Sequence, residues 1–219
     1  MGVMQNKIRI KVCGMRDSEN ILQVAKLQPD YIGFIFYSKS KRFVGDDFKI
    51  PEQLQKNIKR VGVFVNEGTQ EILKLSAKHA LDFIQLHGNE SAEQCDEIKA
   101  RGLGVIKVFQ IDNHFDFVEI NAFKKSVDYF LFDTKTESYG GSGKAFDWSL
   151  LNQYNQEIPF FLSGGLSAEN IGSIKKIKGM NLHALDINSG VEVSPGLKRI
   201  ELINELKLIV NFIFSNQKS

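Results

Sequence analysis

The sequence predicts an α/β fold, a single closed barrel of eight parallel strands with its active site at the C-terminal face, and three observations predict it. Apolar runs rich in β-branched residues alternate with helical patterns along the whole chain, which implies parallel pairing through right-handed crossovers. These units number eight in 219 residues, a count that favours the closed (β/α)8 TIM barrel over an open doubly wound sheet. Four of the runs end in polar groups and glycines: Val12-Cys13-Gly14, Asp133 followed by Gly140-Gly141-Ser142-Gly143, Leu162-Ser163-Gly164-Gly165, and Ile187-Asn188-Ser189-Gly190. Strand ends of this kind are where such a fold keeps its chemistry.

The elements follow in order. Ile8 to Cys13 is the first strand, broken by Gly14, and Asp17 or Ser18 caps a helix to about Leu27 because a short acceptor there satisfies free backbone N–H groups. Tyr31 to Phe36 is the second strand, leading into the basic loop Ser38-Lys39-Ser40-Lys41-Arg42-Phe43. A short amphipathic segment follows Pro51, and Arg60 to Val65 is the third strand. The helix from Thr69 to His79 leads to Phe83-Ile84-Gln85-Leu86-His87-Gly88; a helix from Ser91 to Arg101 leads to a strand from Gly104 to Gln110. A helical pattern spans His114 to Lys125. The sixth strand, Phe130-Leu131-Phe132-Asp133-Thr134-Lys135, reads as buried on both faces and opens at its carboxylate into a glycine-rich loop. A short helix from Asp147 to Tyr154, a strand from Pro159 to Leu162, a helix from Ser167 to Ile177 with Ser167 as N-cap, and a strand from His183 to Ile187 complete the eight. An amphipathic segment from Arg199 to Phe212 closes the chain. No Pro- or Ser-rich linker interrupts the series, so residues 1–219 form one domain, with the barrel from about 7 to 214 and short frayed termini.

Composition narrows the function. With 28 basic against 26 acidic residues the net charge is only +2, which points to neither nucleic acid nor a membrane surface as partner. Two cysteines far apart, without a secretory leader, imply free thiols in a reducing compartment, and the expected location is cytoplasmic.

In a barrel all strands deliver their C-terminal ends to one face, so Cys13, Arg42, His87, Asp133, Ser163 and Asp186 converge. A thiol and a carboxyl facing each other across a pocket suit general acid and base work on the two sides of one small substrate. Gly164-Gly165, with Ser167 opening the next helix, and Ser189-Gly190 offer backbone N–H groups and a helix dipole to a phosphate. The plainer alternatives are that each glycine permits a tight turn and that Cys13 is a small core residue. Cys95 sits in a polar helical stretch and reads as structural, while His79, His114 and His183 show no metal-ligand spacing, so no metal site is expected.

Lys11-Val12-Cys13-Gly14-Met15, Gly33-Phe34-Ile35-Phe36 with Ser40-Lys41-Arg42, Gln85-Leu86-His87-Gly88, Asp133-Thr134-Lys135 with Gly140 to Gly143, Leu162 to Leu166, and Ser189-Gly190-Val191-Glu192 with Pro195-Gly196 resemble, in order, the motif set of the phosphoribosylanthranilate isomerase family. The resemblance covers nearly the whole chain. It implies a cofactor-free Amadori rearrangement in tryptophan biosynthesis, from N-(5-phosphoribosyl)anthranilate to 1-(2-carboxyphenylamino)-1-deoxyribulose 5-phosphate. Asp133 would be the general acid and Cys13 the general base. Arg42 would meet the anthranilate carboxylate, which a guanidinium grips with two parallel hydrogen bonds. Gly141, Gly143, Gly164, Gly165, Ser189 and Gly190 would surround the ligand, mostly through its phosphate, with His87 and Asp186 lining the pocket. Lys198-Arg199 departs from the Lys-Asp pair of the family and leaves the start of the last helix open. The chain would work as a monomer or homodimer on a phosphorylated small molecule.

Two rivals differ in what they require. A histidine-pathway aldose-ketose isomerase on the same barrel resembles duplicated half-barrels with a carboxylate on the first strand, where this chain has Cys13. A barrel that only binds a phosphorylated ligand has no use for Cys13, Asp133 and Arg42 together. The acid and base also make demands: a free carboxyl has a pKa of about 4 and a free thiol about 8.5, so Asp133 needs desolvation or a nearby negative charge, and Cys13 a nearby cation or dipole.

Overall fold

Each of the eight apolar runs forms a strand. In the computed structural model, which describes residues 8–134, 147–177 and 179–215, these are β1 (Arg9–Val12), β2 (Tyr31–Ile35), β3 (Lys59–Phe64), β4 (Phe83–Leu86), β5 (Gly104–Ile111), β6 (Tyr129–Thr134), β7 (Phe160–Leu162) and β8 (Leu182–Ile187). They pair in chain order and all in parallel, and β8 closes the barrel on β1 with Lys11 opposite Asp186 and Val12 opposite Ile187.

Alternate side chains of a strand point to opposite faces. Tyr31, Val61, Ile106, Leu131, Phe161 and Ala184 accordingly form a buried cluster of their own inside the barrel. Two residues further along the same strands come Val63, Asp133, Ser163 and Asp186, all of which line a cleft at the C-terminal face. The apolar floor of the barrel thus gives way to its polar mouth within one step of the pleat.

The outward faces of the strands pack under the helices. α1 (Ser18–Lys26) is capped by Asp17, which accepts from the Asn20 N–H at 2.8 Å, and α3 (Ala92–Lys99) by Ser91, which accepts from Gln94 at 3.3 Å. α2 (Thr69–His79) spans the predicted residues, and α4 (Ile200–Ser215) begins directly after Arg199, whose carbonyl takes the Ile203 N–H. The unexpected arginine therefore does not displace the helix start.

Several crossovers differ from the sequence reading. After Pro51 no helix forms: isolated turns, Leu54 N–H to Pro51 and Ile58 N–H to Gln55, bury Leu54 and Ile58 with too few residues to wind further. Between His114 and Lys125 only Glu119–Phe123 is helical, and that is 3₁₀. Asp112 and Asp116 each accept from the backbone two residues on, at 3.0 and 2.9 Å, and these local bonds compete with an α-helical start. Trp148–Gln153 and Ile171–Ile177 are likewise 3₁₀. Ser167 is not a side-chain cap; its own N–H donates to Asn170 Oδ1 at 3.0 Å, and Asn170 Nδ2 donates to the Gly165 carbonyl at 2.7 Å. A small antiparallel hairpin of β9 (Glu192–Ser194) and β10 (Leu197–Lys198), absent from the sequence reading, follows β8. Among the described residues no helix is long and apolar enough to cross a membrane.

Candidate active site

The strand ends meet in a cleft of about 720 Å³ lined by Cys13, Arg42, His87, Asp133, Gly164, Gly165, Asp186 and Ser189 among others. Cys13 is the first residue beyond β1; its N–H continues the ladder to Ile187 O at 2.9 Å, and it is 4% exposed. Gly33 on β2 leaves room for the thiol, since a Cβ there would stand 2.8 Å from Sγ. Burial pushes the Cys13 thiol above its ordinary pKa; the Lys11 and Lys198 ammoniums oppose that rise, and Asp186 adds to it. The cations sought from the sequence are present, but burial outweighs them.

Lys11 stands on the inward face of β1, two residues below Cys13, and is fully buried. Its Nζ donates to Asp186 Oδ2 at 2.8 Å and to Gln85 Oε1 at 2.7 Å. Burial alone would lower its pKa, but Asp186 and Cys13 together raise it, so Lys11 is a charged ammonium inside the barrel. Gln85 then passes on a direction. With Oε1 occupied by Lys11, its Nε2 faces His87 Nδ1 at 3.1 Å, which makes Nδ1 the acceptor and leaves the ring proton on Nε2. That nitrogen lies 3.4 Å from Asp133 Oδ2. The other Asp133 oxygen accepts from Thr134 N–H at 2.9 Å. The corner carrying His87 is itself braced by Glu90, which accepts from Asn66 N–H and Gly88 N–H at 2.8 Å each and pairs with buried Lys107 at 2.8 Å.

Asp186 is 5% exposed, and burial raises its carboxyl above the usual range, with Lys11 opposing and Asp133 adding to the rise. Its Oδ1 is buried without a hydrogen-bond partner among the described residues. A buried oxygen of this kind, on a residue lining the cleft, is open to a donor from water or from a ligand.

At the other end of the cleft, Gly164 and Gly165 adopt positive φ, 92° and 65°, and their N–H groups donate no hydrogen bond among the described residues. Gly190 lies in the short turn Ser189–Val191 and is not itself a lining residue; a Cβ there would come within 2.0 Å of Leu166 O, so its bare backbone lets the loops after β7 and β8 touch. The helix dipole expected from an α-helix opening at Ser167 is not supplied there, because that segment is 3₁₀ and starts at Ile171. Gly141 and Gly143 lie outside the described residues. Among the described residues no group of three or more His, Cys, Asp or Glu side chains gathers with the geometry of a metal site.

Arg42 reaches the cleft from the loop after β2 and is paired with Glu192, Nη2 to Oε2 at 2.7 Å. Lys39 and Lys41 beside it are exposed, as solvated charges of the same loop should be. Sequence reasoning did not assign Lys11, Gln85, Glu192 or Lys198. The signal for Lys11 was available: it is the basic residue of β1 nearest the C-terminal end, with Arg9 two residues before it, and Asp186 is its opposite in sign on the strand that must close against it.

The protein-family model for N-(5'-phosphoribosyl)anthranilate (PRA) isomerase matches residues 10–207. The N-(5'-phosphoribosyl)anthranilate isomerase of Parabacteroides distasonis is 47% identical over 195 residues, covering 88% of each chain. The crystal structure of the phosphoribosyl anthranilate isomerase of Thermotoga maritima superposes with a TM-score of 0.82 at 37% identity, covering 94% of this chain and 99% of that one. A phosphoribosyl anthranilate isomerase solved in complex with reduced 1-(o-carboxyphenylamino)-1-deoxyribulose 5-phosphate superposes with a TM-score of 0.76 at 33% identity, covering 93% of this chain and 97% of that one. With its closed eight-stranded barrel and a match along almost its whole length, the chain belongs to the N-(5'-phosphoribosyl)anthranilate isomerase family.

Proposed function

We propose that Cys13 and Asp133 are the base and acid of the reaction, and that the observation carrying this is their placement at the ends of β1 and β6 on one cleft. The reaction is the isomerisation of N-(5'-phosphoribosyl)anthranilate in tryptophan biosynthesis. Asp133 donates a proton from Oδ2, the oxygen not taken by the Thr134 N–H, to the ribose ring oxygen. The C1–O bond breaks and the anthranilate nitrogen forms a Schiff base with C1. The Cys13 thiolate removes the proton from C2, the electron pair moves into the C1–N system, and the resulting enolamine gains a proton at C1 and loses the C2 hydroxyl proton to give the ketose. Two protons are gained and two lost, so atoms balance, as an isomerisation requires, and beyond the opening of the ring C1–O bond the steps are proton transfers.

The remaining groups hold the substrate. Arg42 takes the anthranilate carboxylate, and the N–H groups of Gly164 and Gly165 face the phosphate with Ser189, with Gly190 letting the two loops meet. Asp186 Oδ1 accepts from a sugar hydroxyl, which satisfies its orphaned lone pairs. His87 Nε2–H orients Asp133. Every described residue given a part comes from one chain, so a monomer or a homodimer serves equally. The cytoplasm suits the two free, buried thiols.

Turnover of freshly generated N-(5'-phosphoribosyl)anthranilate, followed by loss of its anthranilate fluorescence, tests the assignment. The expected result is a steady, enzyme-dependent loss with formation of the ketose. A well-folded chain without turnover would overturn it.

A further inference from the structure

Arg42 is committed along one edge. Its Nε donates to both oxygens of Glu192, at 2.9 and 3.1 Å, and its Nη2 to Oε2 at 2.7 Å, although the two residues lie 150 positions apart in sequence. Both side chains are largely buried, 12% and 6% exposed. Glu192 opens β9, and its Oε1 also accepts from Gly196 N–H at 2.9 Å and Lys198 Nζ at 2.7 Å. Lys198 is fixed in turn by Asn188, through Oδ1 at 2.6 Å and the carbonyl at 3.2 Å. Gly14 makes space for the arginine: its φ is 74°, and a Cβ there would stand 2.7 Å from Arg42 Cδ.

A guanidinium carries five N–H groups in one plane, arranged as two edges that can each grip a carboxylate. Glu192 uses the Nε–Nη2 edge. Among the described residues Nη1 makes no hydrogen bond, so the Nη1–Nη2 edge is the one left for a ligand. We propose that Glu192 is a positioning residue that locks the plane of Arg42 so that this second edge meets the substrate carboxylate, with Lys198 balancing the charge of Glu192. This rests on the reading of Arg42 as the carboxylate-binding group. Without Lys198, the pair would be neutral and would attract an anion weakly; with it, two cations and one anion leave the Arg42–Glu192–Lys198 cluster net positive. Burial would raise the Glu192 carboxyl, but Arg42 and Lys198 more than offset that and hold it below the usual range, so it stays ionised.

The test is steady-state kinetics on the full chain for wild type, Arg42→Ala, Glu192→Gln and the double variant. Arg42→Ala should raise KM at least about tenfold, and Glu192→Gln about tenfold with kcat within about threefold, as loss of a charged hydrogen bond implies. In the Arg42→Ala background Glu192→Gln should add nothing to KM, because its effect passes through the arginine. An Arg42→Ala effect with no KM change in Glu192→Gln, or an equal Glu192→Gln effect in both backgrounds, overturns the positioning role and leaves Arg42 its own. An unchanged KM in Arg42→Ala overturns the carboxylate reading and the proposal with it. If Glu192→Gln does not fold, Glu192→Asp, which keeps the charge but shortens the reach, is put through the same comparison, with the same outcomes deciding.

Discussion

Lys11 and Asp186 face each other across the closing seam of the barrel, their side chains 2.8 Å apart and almost wholly shielded from water. The pair lies directly beneath Cys13, so it has both a structural and an electrostatic part. Lys11→Met would leave a buried carboxylate uncompensated, at a cost of about 3 kcal/mol or more in stability. It would also remove the larger of the two cationic influences on the thiol, so the rise of activity with pH should move further to the alkaline side. Urea unfolding and a pH–rate profile measure the two effects separately; a profile unchanged in position would show that Lys11 serves the fold alone.

Gly33 is a second link between packing and chemistry. A methyl group there meets Cys13 Sγ at 2.8 Å and its Cα at 3.2 Å, and the backbone cannot yield cheaply. Gly33→Ala should displace the thiol and lower kcat at least about tenfold, at a stability cost of about 1–3 kcal/mol. Wild-type kcat in a folded variant would mean that the thiol position is not critical.

The floor of the barrel carries a pH dependence of stability. His183 sits between Tyr31 Oη at 2.7 Å and Arg9 Nη1 at 3.4 Å, and burial, reinforced by Arg9, lowers its pKa from 6.5 to about 4. Above pH 6.5 the ring is neutral in both folded and unfolded chains and gives stability no pH slope. As pH falls from 6.5 towards 4 the unfolded chain binds a proton that the folded chain refuses, so stability present above pH 6.5 is lost progressively and is gone below about 4. His183→Gln keeps a donor and an acceptor without titrating, and urea midpoints for this variant should lose that part of the slope. Identical slopes in the two proteins would contradict the assignment.

The strands were legible because an apolar run bounded by glycine or polar residues has few other folds open to it, and the barrel then brought Cys13, His87, Asp133 and Asp186 to one face. The crossovers were harder. The residues around Asp112 and Asp116 show a helical period, yet side-chain bonds to the local backbone win there, and periodicity does not register such competition. Pairings between distant residues were harder still. Its motif marks Arg42 as a substrate-binding group, but its hold on Glu192 depends on a hairpin after β8 that has no marked period of its own. Gln85 was visible only as part of a motif; its role in aiming His87 emerges once Lys11 is seen to occupy its carbonyl oxygen.

The division of labour between Cys13 and Asp133 is tested most directly by kcat on N-(5'-phosphoribosyl)anthranilate for Cys13→Ser and Asp133→Asn beside the wild type, with thermal unfolding as the check on folding. Both substitutions nearly preserve shape and remove the proton-transfer capacity of one group. The predicted result is a loss of at least about a hundredfold in each folded variant, the size expected when a positioned acid or base is removed. A variant that folds and retains kcat within about threefold of wild type would contradict the role assigned to that residue.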